Sequence, residues 1–124
     1  MTEEKQERIV YVATHGAEDP ERASLPFVLA NAALAMDVEA IVILQGSAVL
    51  LACGDCKNHV FAGGLPPLKE LMDSFFELGG KLYLCGPCIQ SRQIKEEDFI
   101  KGAEVVTAGV VTDAMLNADA VVSY

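Results

Sequence analysis

Short apolar runs alternate with segments of helical periodicity along the whole chain. Arg8-Ile9-Val10-Tyr11-Val12-Ala13-Thr14 is β-branched and almost continuously apolar, the pattern of a parallel strand buried on both faces. Similar runs recur at Glu39–Leu44, Lys81–Leu84, Ala103–Thr107 and Ala120–Ser123. Between the first two, Glu21–Met36 is rich in Ala and Leu, strong helix formers. Its apolar residues cover most of the circumference, so this helix is either a well-covered core element or a surface for self-association. Asp19 is placed to cap it, with Pro20 at its first position. Pro66 and Pro67 open another helix, whose Leu68, Leu71, Met72, Phe75, Phe76 and Leu78 form one apolar stripe; Gly79-Gly80 closes it. Shorter helical pieces are expected at Ala48–Ala52, Gly86–Arg92, from Glu96 to near Lys101, and at Val110–Leu116.

Strands and helices that alternate in this way imply parallel strands joined by right-handed crossovers. The expected fold is a single three-layer α/β domain over residues 1–124, with a five-stranded, mainly parallel sheet and helices on both faces. The polar residues 1–7 are expected to fray. In such sheets the strand-to-helix loops gather at one edge, where ligands bind. His15, the Cys53–His59 loop and Cys85 all follow strands and are expected to share that edge.

Composition narrows the function classes. The chain has 124 residues, 52% of them hydrophobic, and a formal net charge of −9. An acidic surface disfavours nucleic-acid binding, which needs clustered Lys and Arg. No apolar run is long enough to cross a bilayer, and the start, Met1-Thr2-Glu3-Glu4-Lys5, has no signal-like apolar core. A cytoplasmic location is therefore expected, where thiols are kept reduced. Four cysteines there point to reactivity or metal binding more than to structural crosslinks.

The chemistry centres on Leu82-Tyr83-Leu84-Cys85-Gly86-Pro87-Cys88. A strand that ends in a cysteine, followed by Gly-Pro and a helix start, presents a thiol to free backbone N–H groups. Cysteines in such settings have pKa values from ~3.5 to ~7.5. One reading is sulfur transfer. Cys85 takes the outer sulfur of a donor as a persulfide, Cys88 resolves it, and Arg92 is a candidate for helping to stabilise the anion, although a solvated surface charge is an equal alternative for it. A second reading is a metal site. Cys53/Cys56 and Cys85/Cys88 form two CxxC pairs of the kind that bind zinc or an iron–sulfur centre, with His59 a possible substitute ligand. A third is dithiol–disulfide exchange, since Cys-Gly-Pro-Cys is also the thioredoxin tetrapeptide. The plain alternative, that a cysteine acts as a small buried hydrophobe, is strongest for Cys53. His15 either assists proton transfer near Cys85 or hydrogen-bonds loop backbone. There is no P-loop, dinucleotide fingerprint or hydrolytic triad.

Taken together, these motifs resemble the DsrE/DsrF/DsrH-like family, whose members share a YchN-like fold. The resemblance rests on the strand into Thr14-His15-Gly16 with its acidic-Pro turn, on Ile41–Leu51, on Gly64-Leu65-Pro66-Pro67-Leu68-Lys69-Glu70-Leu71, and on Leu82–Cys85 followed by Arg92. It covers nearly the whole chain. It implies a sulfur-relay protein, a carrier or sulfurtransferase component, that holds sulfane sulfur on Cys85, needs no cofactor and passes sulfur between donor and acceptor proteins. It also implies a homo-oligomer, a trimer or hexamer. Many members have no established activity. Relatives often place glycine just after the arginine matching Arg92, where this chain has Gln93. The Cys53-Gly54-Asp55-Cys56 motif is not a general family feature; Cys53, Cys56 and His15 are taken as auxiliary.

Overall fold

The computed structural model describes residues 6–124. Of the segment expected to fray, 1–7, only Gln6 and Glu7 fall within it, and Glu39 N–H donates to the Glu7 carbonyl at 2.8 Å. Five parallel strands form one sheet in the order β4-β3-β2-β1-β5. β1 (Arg8–Ala13) runs beside β2 (Glu39–Leu44) along its full length, Arg8 opposite Glu39 and Ala13 opposite Leu44. β3 (Lys81–Cys85) follows, then the edge strand β4 (Ala103–Val106), with Cys85 opposite Val106. β5 (Ala120–Ser123) flanks β1 on the other side.

This order dictates how the two faces are covered. The steps β1 to β2, β2 to β3 and β3 to β4 all run the same way across the sheet, while β4 to β5 steps back past β1. Right-handed crossovers place the first three connections on one face and the last on the other. The core divides accordingly. Tyr11, Ala13, Val42, Leu44, Leu82 and Leu84 belong to a core shared with α1 (Pro20–Ala35) and α2 (Leu68–Glu77). On the alternate side of the pleat, Val10, Val12, Ile41 and Ile43 meet α4 (Ala108–Leu116), through Ala114, Val111 and Met115. Among the described residues no helix is long and apolar enough to cross a membrane.

α1 is a core helix. Ala23, Phe27, Ala30 and Ala33 are buried against the sheet and α2, and Phe27 meets Phe75 edge-to-face with ring centroids 5.3 Å apart. Asp19 caps it as expected, accepting from Arg22 N–H at 3.1 Å. Three further details depart from the expected boundaries. β3 runs one residue on, to include Cys85. α4 starts at Ala108 rather than Val110, because the Thr107 side chain accepts from Val110 N–H and closes the first turn. The segments Gly46–Ala52 and Cys56–His59 are both 3-10 turns, the second where only a loop was expected.

Three helices end in the same hydrogen-bond pattern. Val38 N–H reaches Ala33 O and Asp37 N–H reaches Leu34 O; Gly80 and Gly79 do the same to Phe75 and Phe76, and Ile94 and Gln93 to Ile89 and Gln90. This is the Schellman motif, which needs a left-handed residue at its turn. Those residues are Asp37 (φ 63°), Gly79 (φ 89°) and Gln93 (φ 55°). The position just after Arg92, where the family resemblance leads one to expect glycine, is thus a left-handed one, and this chain fills it with a side chain.

Candidate functional site

Cys85 ends β3 and is the N-cap of α3 (Gly86–Ser91), with Pro87 in the first turn. Gly86 sits close to β4, where a Cβ would lie 3.0 Å from the Val106 carbonyl oxygen, tighter than ordinary contact. One helical turn on, Cys88 brings its Sγ back over the end of the neighbouring strand. There Gly46, left-handed at φ 57° and first in the 3-10 turn after β2, donates its N–H to Cys88 Sγ at 3.3 Å. The Cys85 thiol also donates to Cys88 Sγ.

These contacts polarise the pair. The Cys85 hydrogen bond, with help from Gly46 N–H and the Arg92 charge, holds the Cys88 thiol below the ordinary thiol range. Burial pushes Cys85 up, and its role as donor to Cys88 adds to that; a bond from Cys88 N–H and the Arg92 charge only partly offset it. The expected depression of the Cys85 pKa is therefore not found. The backbone N–H at the helix start does reach Cys85, but desolvation outweighs it, and of the two sulfurs Cys88 is the one favoured to ionise first. Arg92, exposed at the end of α3, donates to the Cys88 carbonyl at 3.3 Å and acts on both thiols through its charge.

β3 and β4 are neighbours whose following connections leave toward opposite faces. Such a switch point opens a crevice at the strands' carboxyl ends. It is present here, with a volume of about 330 Å³, lined by Gly86, Pro87, Gln90, Val106 and Thr107. A wider groove of about 680 Å³ continues along α3 and the edge strand past Ile89, Ile94, Phe99 and Val105. The crevice touches the turn at Gly86 and Pro87, and neither cysteine lines it.

The second pair lies at the other end of the Gly46–Ala52 turn. Cys53 closes that turn, its Sγ donating to Val49 O at 3.5 Å. Cys56 N–H returns to Cys53 O at 3.2 Å. The strip is held by Gly54 N–H to Asp98 O and Ile100 N–H to Ala52 O, on the segment that follows α3. Both thiols are partly exposed and free. Burial raises both pKa values, and the carboxylates Asp98 beside Cys53 and Asp55 and Glu18 beside Cys56 raise them further.

His15 pairs with Glu18, Nδ1 to Oε1 at 3.8 Å. Glu18 is the residue that sequence reasoning missed. Its carboxylate accepts from Ser47 Oγ and from Gly16 N–H at 2.8 Å, which ties the loop after β1 to the turn after β2. The Ser47 hydrogen bond lowers its pKa most. Gly16 allows the approach, because a Cβ would fall 2.7 Å from Ser47 O. An acidic residue two places beyond a post-strand glycine is the only local signal, and its partner is 29 residues away. His59, 3.6 Å from Asp55, belongs to the surface of the second pair.

The fold thus brings all the singled-out residues to one edge but divides them into two thiol pairs. Among the described residues, no group of three or more His, Cys, Asp or Glu side chains is placed to hold a metal ion, so the four-thiolate zinc or iron–sulfur site of Cys53, Cys56, Cys85 and Cys88 is not gathered here.

Comparison with known proteins follows the same lines. A model of the DsrE/DsrF-like family matches residues 7–124. An uncharacterized protein of Methanocaldococcus jannaschii, MJ0989, is 29% identical over 117 residues, which is 94% of this chain and 99% of that protein. The crystal structure of the ychN protein of E. coli superposes with a TM-score of 0.80 at 21% identity, over 96% of this chain and all of that one. MTH1491 of Methanobacterium thermoautotrophicum, a protein of unknown function, gives 0.76 at 15% identity over 96% of this chain and 100% of its own. At these identities the two structures share the fold.

Proposed function

The chain belongs to the DsrE/DsrF-like family, and from that premise we propose that it is a carrier or sulfurtransferase component of a sulfur relay, loading sulfane sulfur on the Cys85/Cys88 pair. The observation that carries the reading is the Cys88 sulfur at the end of β3, held by Gly46 N–H and the Cys85 thiol. A partly exposed thiol whose ionisation is favoured is what attack on a sulfane donor requires. Cys88 Sγ attacks the outer sulfur of a donor R–S–SH, the donor leaves as R–S⁻, and Cys88–S–SH remains. An acceptor thiolate then takes the outer sulfur. Alternatively Cys85 attacks Cys88 Sγ, expels HS⁻ and leaves a Cys85–Cys88 disulfide. The polarity of the pair reverses the order expected from the motif alone, in which Cys85 is loaded and Cys88 resolves. The donor and acceptor are other thiol-bearing proteins or small persulfides that reach the partly exposed Cys88 sulfur.

The test is intact-mass measurement after exposure to inorganic polysulfide. Cys85→Ser should gain one sulfur atom, wild type should gain one or, once Cys85 has resolved it, lose two hydrogens to the Cys85–Cys88 disulfide, and Cys88→Ser should do neither. Uptake that survives Cys88→Ser but is lost in Cys85→Ser would restore the original order. No uptake by any form would remove the relay reading altogether.

A further inference from the structure

We propose that the two CxxC pairs are separate two-electron couples of unequal potential, so that Cys53/Cys56 is the reducing pair and Cys85/Cys88 the oxidising one. Three observations carry this. First, the surroundings of the sulfurs are opposite in kind. Cys88 Sγ accepts a backbone N–H from Gly46 at 3.3 Å and a thiol from Cys85, with the Arg92 guanidinium nearby. Cys53 Sγ instead donates to the Val49 carbonyl, and the charges around the second pair are the carboxylates of Asp55, Asp98 and Glu18. Second, neither pair is crosslinked, and all four thiols are partly exposed. Third, one short 3-10 turn joins them, with Gly46 at its start and Cys53 at its end, so both pairs lie on the same sheet edge.

The thermodynamic consequence follows from what each environment stabilises. Donors and a positive charge favour a thiolate, which exists only in the reduced form, so the Cys85–Cys88 disulfide is the more readily reduced. Carboxylates and a carbonyl acceptor offer the Cys53/Cys56 pair no such gain, so its disulfide is the harder to reduce. Exchange between the pairs therefore has a direction. One sulfur of Cys53/Cys56, as thiolate, attacks the Cys85–Cys88 disulfide to give a mixed disulfide and releases one thiolate of that pair. The remaining thiol of Cys53/Cys56 then attacks the mixed disulfide. Two electrons and two protons have passed; Cys85/Cys88 is a dithiol again and Cys53–Cys56 is the disulfide, to be reduced by an external dithiol protein. The ordering stands on the residues around the sulfurs. It rests on the sulfur-carrier reading only for its use, which is to restore the loading pair after sulfide release.

The experiment is a redox titration in glutathione buffers, with acid trapping, alkylation and peptide mass mapping. It is run on wild type and on two double variants, Cys53→Ser/Cys56→Ser and Cys85→Ser/Cys88→Ser, each keeping one pair. Circular dichroism confirms that the variants fold. The Cys53–Cys56 disulfide should persist at a glutathione ratio at least tenfold more reducing than Cys85–Cys88, and Arg92→Gln should narrow the gap by stabilising the Cys85–Cys88 disulfide. Equal midpoints, the reverse order, or failure of either pair to form its disulfide would overturn the proposal. If the order holds but polysulfide loading fails, the carrier reading falls and the couples remain. If loading succeeds and the order fails, only this inference is lost.

Discussion

Cys85 and Cys88 stand three residues apart and shift in opposite directions, because each sulfur answers to different neighbours. Cys88 gathers donors from its own turn and from β2's end, while Cys85 is desolvated and keeps its proton, which it shares with Cys88 only as a hydrogen-bond donor. The Cys85 contribution is separable. In Cys85→Ala the Cys88 thiol loses its principal donor, so its folded-state pKa should rise. In the pH midpoint of iodoacetamide reaction at Cys88, the wild type should fall below an ordinary thiol and the variant above the wild type. A midpoint unmoved by the substitution would assign the shift to Gly46 and Arg92 alone. The CxxC spacing was plain in the sequence. Which sulfur is favoured to ionise was not, since part of what lowers Cys88 is an N–H from a residue 42 positions away, and no local pattern encodes that pairing.

At the level of elements, strand and helix identity was legible because buried parallel strands and the α2 stripe leave unmistakable periodicities. What blurred was ends and turns. The first turn of α4, Ala108 and Gly109, was not read as helix, yet the Thr107 cap closes it. The 3-10 turn at Cys56–His59 carries no periodic signal and is fixed by tertiary contacts. The helix ends offer a quantitative check. Gln93 holds φ at 55°, a conformation that costs a residue with a Cβ roughly 1–2 kcal/mol, whereas glycine enters it freely at some cost in unfolded-state entropy. Gln93→Gly should raise stability by up to about 1 kcal/mol. Gly79→Ala, at φ 89°, should lower it by about as much or more. Urea unfolding midpoints decide both, and a destabilised Gln93→Gly would show that the Gln93 side chain makes up for its backbone.

For the molecule as a whole, strand order makes the two faces unequal. The α1–α2 side holds the Phe27–Phe75 contact and most of the buried residues, whereas α4 buries only Ala114 fully and leaves Val110 and Leu116 exposed. Local opening should follow this imbalance. Amide hydrogens of Ala108–Leu116 should exchange well before those of β1 and β2, by hydrogen-exchange mass spectrometry; equal protection would mean that something further covers α4 in solution. The sequence predicted helices on both faces but not their unequal shares, because the shares depend on β5 stepping back past β1. The short turn from Gly46 to Ala52 has one more consequence. It is anchored in the core by Leu51, which is fully buried, while its two ends serve different sulfurs. Leu51→Ala, expected to cost about 2–5 kcal/mol, should therefore disturb thiol alkylation at Cys53 and Cys88 together, although Leu51 is itself an apolar side chain with no part in the chemistry. A survey that ranked substitutions by reactivity alone would place this packing residue beside the cysteines.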